Sequence, residues 1–376
     1  MTPTIARLPA RAAALLILAV AAGACSGASP TGSSPAPSSA PAAASAAAAP
    51  SVAATATAAA SASPTAAAVR TAYPVTITDC TGRELTFTQA PQRVVTFDPA
   101  VTEIMLTLGL KDRIVGVTQF DDGPGAGDKM WSVTKADMLS LHVINDPKVG
   151  FPSLEAVVAA KPDLVASEYW SAFDASSGVA TLAKFTALGI PAYITRGGCD
   201  DAPAVWTDLS LLYQDIEDIG VIFDVQDRAQ QEVATLQAQV AAIQSQAQAA
   251  GLPDRSIGMY CCGPDNPGTL GTTVANALIT LAGSHYAFIN DDSNRKPLSW
   301  EAFVRDNPDV IWIITGLGET AAQSEKELES SARTASMPAV KNRRYVVVAY
   351  DDVGETPRTI DGLKALVNGL IALQGQ

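Results

Sequence analysis

A pattern that occurs twice constrains this chain more than any other feature. Ser153-Leu-Glu155-Ala-Val-Val is matched by Ser299-Trp-Glu301-Ala-Phe-Val, and seven residues after each glutamate come Pro162-Asp-Leu-Val and Pro308-Asp-Val-Ile. Each copy spells a short helix running into a strand. The serine is placed to cap the helix, and the glutamate falls in the first turn, where the helix dipole favours negative charge. The proline stops the helix, and the apolar run behind it is short enough for a buried strand. A chain with two such units is expected to fold as two lobes of like build, α/β in class, each turning one carboxylate outward. Such a pair suits docking on a two-fold symmetric partner.

The N-terminus has Arg7 and Arg11, then an uncharged apolar run that ends in Ala22-Gly23-Ala24-Cys25. A basic start, an apolar stretch too short to span a bilayer and small residues at its end make residues 1–24 a secretory signal. A cysteine directly after them resembles a bacterial lipobox, although Ala22 stands where leucine is usual. Cys25 is therefore the expected lipidation site and first mature residue, with plain cleavage and release as the alternative. Between Ser26 and Val69 no residue is charged, and Ala, Ser, Pro and Thr dominate. Such a segment cannot bury a core, so residues 25–70 read as a disordered tether with a mean reach of about 35–40 Å. The expected location is the outer face of the cell membrane, held by lipid.

All acidic residues lie beyond the tether, and the net charge of −13 becomes more negative still once Arg7 and Arg11 leave with the signal. A nucleic-acid partner is excluded on charge. Four cysteines remain in the body: Cys80, Cys199, Cys261 and Cys262. An exported chain can oxidise them, and three pairings are possible. Cys80–Cys199 is the preferred bond, joining two segments of the first lobe. The adjacent Cys261 and Cys262 either close a vicinal ring or stay as thiols.

Along the body, Val75–Ile77 and Leu85–Phe87 flank Thr81-Gly82 as a hairpin. Arg93–Phe97 is a strand, followed by Asp98 as N-cap, Pro99 at the first helical position and Gly109 past the helix end. Ile114–Val117 returns as a strand, and this β-α-β unit implies a parallel sheet. The Ser153 helix, the Leu164 strand and another helix–strand pair over 179–195 complete lobe one, residues 71–222. After Asp224, apolar residues at Val225, Ala229, Val233, Leu236, Val240 and Ile243 mark one long helix that Gly251 and Pro253 end. It is expected over 223–251 and is long enough to bridge two lobes. Lobe two, 252–376, runs from the Tyr260 strand to a closing helix over Ile360–Leu373, with Trp312 and Phe303 in its core.

Arg93-Val-Val-Thr-Phe-Asp-Pro-Ala-Val-Thr-Glu103-Ile-Met-Leu-Thr-Leu-Gly109, Ile114–Val117 and the two glutamate–proline-aspartate segments, in this order, resemble the helical-backbone class of ABC-importer substrate-binding proteins. Tyr73-Pro-Val, Asp79-Cys80-Thr81-Gly82, Ser171-Ala-Phe173-Asp174 and Gly198-Cys199-Asp200 look most like actinobacterial iron-siderophore lipoproteins. The resemblance covers nearly all of residues 73–376. It implies two Rossmann-like lobes with mainly parallel sheets, joined by one rigid helix, with a ligand cleft between them. It also implies a monomeric receptor that delivers a ferric siderophore to a permease dimer. The glutamates that meet permease arginines in the family map onto Glu155 and Glu301. Cobalamin and haem are the other cargoes of the class.

In a two-lobed α/β protein the ligand lies at the loops after the strands. Those loops carry Phe120, Tyr169, Trp170, Phe173 and Arg196 in lobe one, and Tyr260, Arg295, Trp300 and Tyr350 in lobe two. Flat rings suit a bulky chelate, and arginines suit its anionic oxygens. Packing is the competing role for each ring. Asp98 reads as a helix cap and Arg93 as a strand-start residue. The chain has two histidines, His142 and His285, too few for direct metal capture, so iron would arrive inside its chelator and no cofactor is expected. A tyrosine such as Tyr169 or Tyr260 leaves haem ligation open.

An exported hydrolase or thiol-redox enzyme is the alternative of another class. No Gly-x-Ser-x-Gly elbow, phosphate loop or dinucleotide turn occurs, and Gly123-Pro-Gly125-Ala-Gly127 lacks the lysine–hydroxyl pair that would follow it. Cys261-Cys262 lacks the two-residue spacer of a redox pair. A binding protein without turnover is the expectation, ahead of an adhesion ectodomain.

Overall fold

The computed structural model describes residues 69–118, 133–146, 150–176, 178–198, 206–261, 263–265, 267–268, 273–289, 298–317 and 319–375. The signal peptide, Cys25, nearly all of the tether, Phe120, the Gly123–Gly127 cluster, Cys199, Cys262 and Arg295 lie outside them. Residues 65–376 form one compact unit.

An antiparallel hairpin of β1 (Val75–Thr78) and β2 (Glu84–Phe87) opens the described chain. Its Arg83 guanidinium donates to Ala192 O at 2.7 Å, fixing the turn to the first sheet. That sheet is built from β3 (Val94–Thr96), β4 (Ile114–Val117), β5 (Leu164–Ser167) and β6 (Ala192–Ile194). Its helices are α1 (Pro99–Thr107), α2 (Lys135–Leu139), α3 (Leu154–Ala159) and α4 (Leu182–Ala187). Then come α5 (Ser210–Ile222) and α6 (Gln226–Ala249). The second sheet comprises β7 (Ser256–Tyr260), β8 (His285–Tyr286), β9 (Val310–Thr315) and β10 (Tyr345–Ala349). Around it lie α7 (Val274–Leu281), α8 (Trp300–Asp306), α9 (Ala321–Ser330), α10 (Pro338–Lys341) and α11 (Thr359–Leu373).

All strand pairs within the two four-stranded sheets are parallel. The first has the order β4-β3-β5-β6 and the second β8-β7-β9-β10. Counted within each lobe, both read second, first, third, fourth. The chain is thus duplicated in topology as well as in sequence, and the repeated helices α3 and α8 occupy the same place, entering the third strand of each sheet.

Local chemistry explains these elements. Asp98 caps α1 by accepting from Val101 N at 2.9 Å, with Pro99 at the first turn and Gly109 at φ 68° past its end. Ser153 accepts from Ala156 N at 3.2 Å and Ser299 from Ala302 N at 3.1 Å, so the two copies start alike. Arg93, at the start of β3, donates to Lys161 O and Ala160 O, holding the C-terminal end of α3.

The bridging helix is α6, 24 residues and about 36 Å long. Arg228 near its start donates to Leu108 O, and Gln246 near its end donates to Asn368 of α11 at 2.9 Å. Preceding it is α5, a helix not anticipated above. Gly220 of α5 lets Ala229 approach so closely that an added Cβ would lie 2.5 Å from the alanine methyl. One apolar cluster runs from Val94 and Leu164 through α1, α5 and α6 to β9 and α11, so the lobes share a core across the bridge. A smaller cluster of Phe97, Phe173 and Phe185 fills the other face of the first sheet.

Candidate functional site

A cavity of ≈ 430 Å³ opens where the two lobes meet. From lobe one it is lined by the N-terminal turns of α1 (Pro99, Ala100, Glu103), the segment after β5 (Glu168–Ser171) and Gly197-Gly198 after β6. Lobe two contributes Thr273 and Val274 at the start of α7, and residues 350–356 after β10, excluding Asp352. These are carboxyl-terminal ends of strands and amino-terminal ends of helices, the edge at which α/β sheets take ligands.

The wall is aromatic and the floor is acidic. Tyr169, Trp170 and Tyr350 supply the rings. Tyr169 and Tyr350 come from opposite lobes and are hydrogen-bonded to each other; burial pushes the Tyr169 hydroxyl well above its usual range, and Tyr350 raises it further. Beneath them four carboxyl groups, Glu103, Glu168, Asp351 and Glu355, border the space. No described lining residue carries a basic side chain.

Backbone amides and hydroxyls organise this floor. Asp98 is fully buried, and besides capping α1 it accepts from Glu168 N at 2.7 Å, tying the exit of β5 to the helix. Glu168 accepts from Glu355 N at 3.4 Å, and Thr195 donates to Glu355 at 3.4 Å, two contacts that cross between lobes. The close approach requires Gly197: a Cβ there would sit 1.8 Å from Glu355 Oε1. Burial, with the Asp98 charge added, raises Glu168 to about 8. Burial and the Glu168 charge hold Glu355 well above the usual carboxylate range. Glu168 is therefore largely neutral at pH 7. Glu103 rises to about 7, because burial outweighs Arg358. Arg358 is itself buried, within 3.4 Å of Glu103, 3.7 Å of Asp351 and 2.7 Å of Asp352.

Only part of the expected ligand set reaches the cavity. Tyr169, Trp170 and Tyr350 line it. Phe173 does not: it is 3% exposed and packs against Phe97 and Phe185, each at 5.8 Å. Tyr260 is fully buried against Trp300 and Phe303, so it is a core residue of lobe two. Trp300 is buried as well, its indole N–H donating to Pro264 O at 2.7 Å. Arg196 is committed internally: Nε and Nη2 both donate to Asp218, at 3.0 and 2.6 Å. Its backbone N–H donates to buried Asp215, which burial raises to about 7. Phe120 and Arg295 lie outside the described residues. Trp312 and Phe303 are fully buried.

Glu155 and Glu301 are both exposed, each in the first turn of its helix. Cys80 and Cys261 are each disulfide-bonded. Among the described residues no group of three or more His, Cys, Asp or Glu could hold a metal ion, and no helix is long and apolar enough to cross a membrane.

Residues 94–351 match the family model of the periplasmic binding proteins. The chain belongs to this family. It is 27% identical, over 79% of its length and 85% of the relative's, to an uncharacterised ABC transporter substrate-binding lipoprotein, YvrC, of Bacillus subtilis. A cobalamin-binding protein of Halobacterium salinarum is 26% identical over 78% of this chain and 73% of its own. Among solved structures, a protein of an ABC-type Fe3+-hydroxamate transport system from Saccharomonospora viridis superposes with a TM-score of 0.65. It has 22% identity and covers 79% of this chain and 99% of its own. This periplasmic binding protein is a solute-binding protein and not an enzyme; its two lobes carry mainly parallel sheets flanked by helices.

Proposed function

We propose that this periplasmic binding protein is the extracytoplasmic receptor of an ABC importer, capturing a ferric hydroxamate siderophore and delivering it to a permease dimer. The observation that carries the reading is the pairing of one ring-lined cavity between the lobes with two exposed glutamates at equivalent places in a duplicated fold. Rings of Tyr169, Trp170 and Tyr350 suit a bulky, partly apolar chelate. The carboxyl group of Glu168, neutral at pH 7, can donate to chelate oxygens, the role expected of arginines from the sequence. Asp351 and Glu103, which share the single Arg358, disfavour ferric catecholates and haem, which bring negative charge of their own.

Glu155 and Glu301 would meet basic side chains of the permease. An exposed ion pair contributes only about 0–1 kcal/mol, so these glutamates would steer and register docking more than hold it. Lipidation of Cys25, with the following uncharged segment as a tether, would keep the receptor beside its permease, as a monomer. Cobalamin is the second reading, favoured by the name of the Halobacterium relative. Trp170 is the only described tryptophan that lines the cavity, which makes it the reporter. Titration with a ferric hydroxamate, a ferric catecholate, haem and cobalamin should give saturable fluorescence quenching by the hydroxamate. Quenching by cobalamin alone would overturn the cargo, and none from any of the four would overturn the siderophore and cobalamin readings together.

A further inference from the structure

The cavity floor holds a buried carboxyl oxygen with no hydrogen-bond partner. Glu103 lies on α1, lines the cavity, and has a side chain only 3% exposed. Its Oε1 lies 3.4 Å from Arg358, but its Oε2 is buried with no hydrogen-bond partner. A buried carboxylate oxygen without a donor is costly, and the usual remedy is a partner supplied from elsewhere. The Arg358 guanidinium is also shared with Asp351 and Asp352. One cation thus faces three carboxyl groups.

Two positive helix ends oppose this acidity. The N-termini of α1 and α7 reach the cavity, each equivalent to about half a unit charge. Asp98 already answers the first. The second is too small to offset the excess of carboxylates. A space bordered by rings and by a carboxyl oxygen with no hydrogen-bond partner is an arrangement that can receive a cation.

We infer that Glu103 Oε2 accepts a hydrogen bond from a protonated amine on the bound chelate, so that the receptor selects positively charged ferric hydroxamates over neutral ones. This rests on the siderophore reading above. Burial raises Glu103 to about 7. The groups facing it are Arg358 and Asp351, with the Thr356 hydroxyl, and Glu168, Glu355, Tyr169 and Tyr350 border the same space. A bound cation would pull its proton off. Affinity for a cationic chelate should then rise between pH 6 and pH 8, while that for a neutral one stays nearly level.

The test is calorimetric titration of the full protein with a linear ferric trihydroxamate bearing a free terminal amine, and with the same chelate N-acetylated. The amine form should bind about ten-fold more tightly at pH 8, and Glu103→Gln should collapse that ratio to within about two-fold. Equal affinity of the wild-type protein for the two chelates would overturn the charge selection while leaving the siderophore reading intact. Failure of both to bind would overturn the siderophore reading and this inference with it. The wild-type comparison needs no variant, so it decides the matter even if Glu103→Gln folds poorly.

Discussion

Replacing Glu168 by glutamine should flatten the dependence of stability on pH. In the folded chain burial and the neighbouring Asp98 keep this carboxyl protonated up to about 8, against an ordinary value of 4.5. Between those limits the folded state holds a proton that the unfolded chain has already released. The contribution to stability is therefore complete below about pH 4.5, falls as pH rises, and is gone above about pH 8. A single retained proton sets a ceiling of about 1.4 kcal/mol per pH unit. Glu168 borders an open cavity, and water there damps the effect, so roughly half of that ceiling is expected. From pH 5 to pH 8 the loss attributable to this one group would be about 2 kcal/mol, a sizeable part of the roughly 5–15 kcal/mol typical of a folded domain.

Glutamine keeps an oxygen to accept the Glu355 N–H and cannot ionise. Urea unfolding at pH 5, 6, 7 and 8, followed by tryptophan fluorescence, would give both stability curves. Glu103, Asp215 and Glu355 are also raised, so both proteins should lose stability with rising pH. The difference between the slopes isolates residue 168. Parallel curves for wild type and variant would refute the claim that this carboxyl is kept neutral by the fold.

Three further outcomes follow from the geometry. Glu155→Arg combined with Glu301→Arg should abolish cellular uptake of the ligand while leaving its binding affinity, measured by fluorescence quenching, unchanged. Gly197→Ala drives a methyl into Glu355 and Trp206, and should lower unfolding stability by about 1–3 kcal/mol, read from the urea midpoint. Phe173→Ala empties the centre of a ring cluster and should cost about 3–5 kcal/mol of stability, whereas Trp170→Ala should weaken ligand binding with a much smaller stability loss, the two effects separated by unfolding and titration of each variant.

The elements that were legible in the sequence are those whose signals are local. Both serine caps, the proline stops at 162 and 308, the Asp98–Pro99 start of α1 and the apolar spacing of α6 depend on residues within a few positions of one another. Two further elements also carry local signals. Thr320 and Gln323 form a capping box that begins α9, and Leu212, Ile216 and Ile219 mark the buried face of α5. The cavity was harder, because which way a ring turns after a strand is decided by tertiary packing. In the tight turn Trp170–Phe173, Trp170 faces the cavity and Phe173 tucks under onto Phe97. The acidic floor did leave a trace. Glu103 interrupts an otherwise uncharged run from Pro99 to Leu110, and an ionisable residue in such a run points to a partner or a function. Its partner, Arg358, is 255 residues away, and no spacing rule reaches that far.

Duplication explains why cargo and docking partner would share one rim. In each lobe the strand order places the first and third strands side by side at the centre, and the repeated helix leads into the third. A helix that feeds a parallel strand runs against it, so its N-terminus lies towards the carboxyl-terminal edge of the sheet. Glu155 and Glu301 sit at those N-termini, and the residues after β5 and β10 that line the cavity leave the sheets at the same edge. The α6 bridge and the shared core hold the two copies together, and the contacts of Glu103 with Arg358 and of Glu168 with Glu355 N join them across the cavity. A permease that touched both glutamates would therefore span the mouth of the cavity, and the spacing of the two carboxylates would be fixed by the same contacts that join the lobes across it.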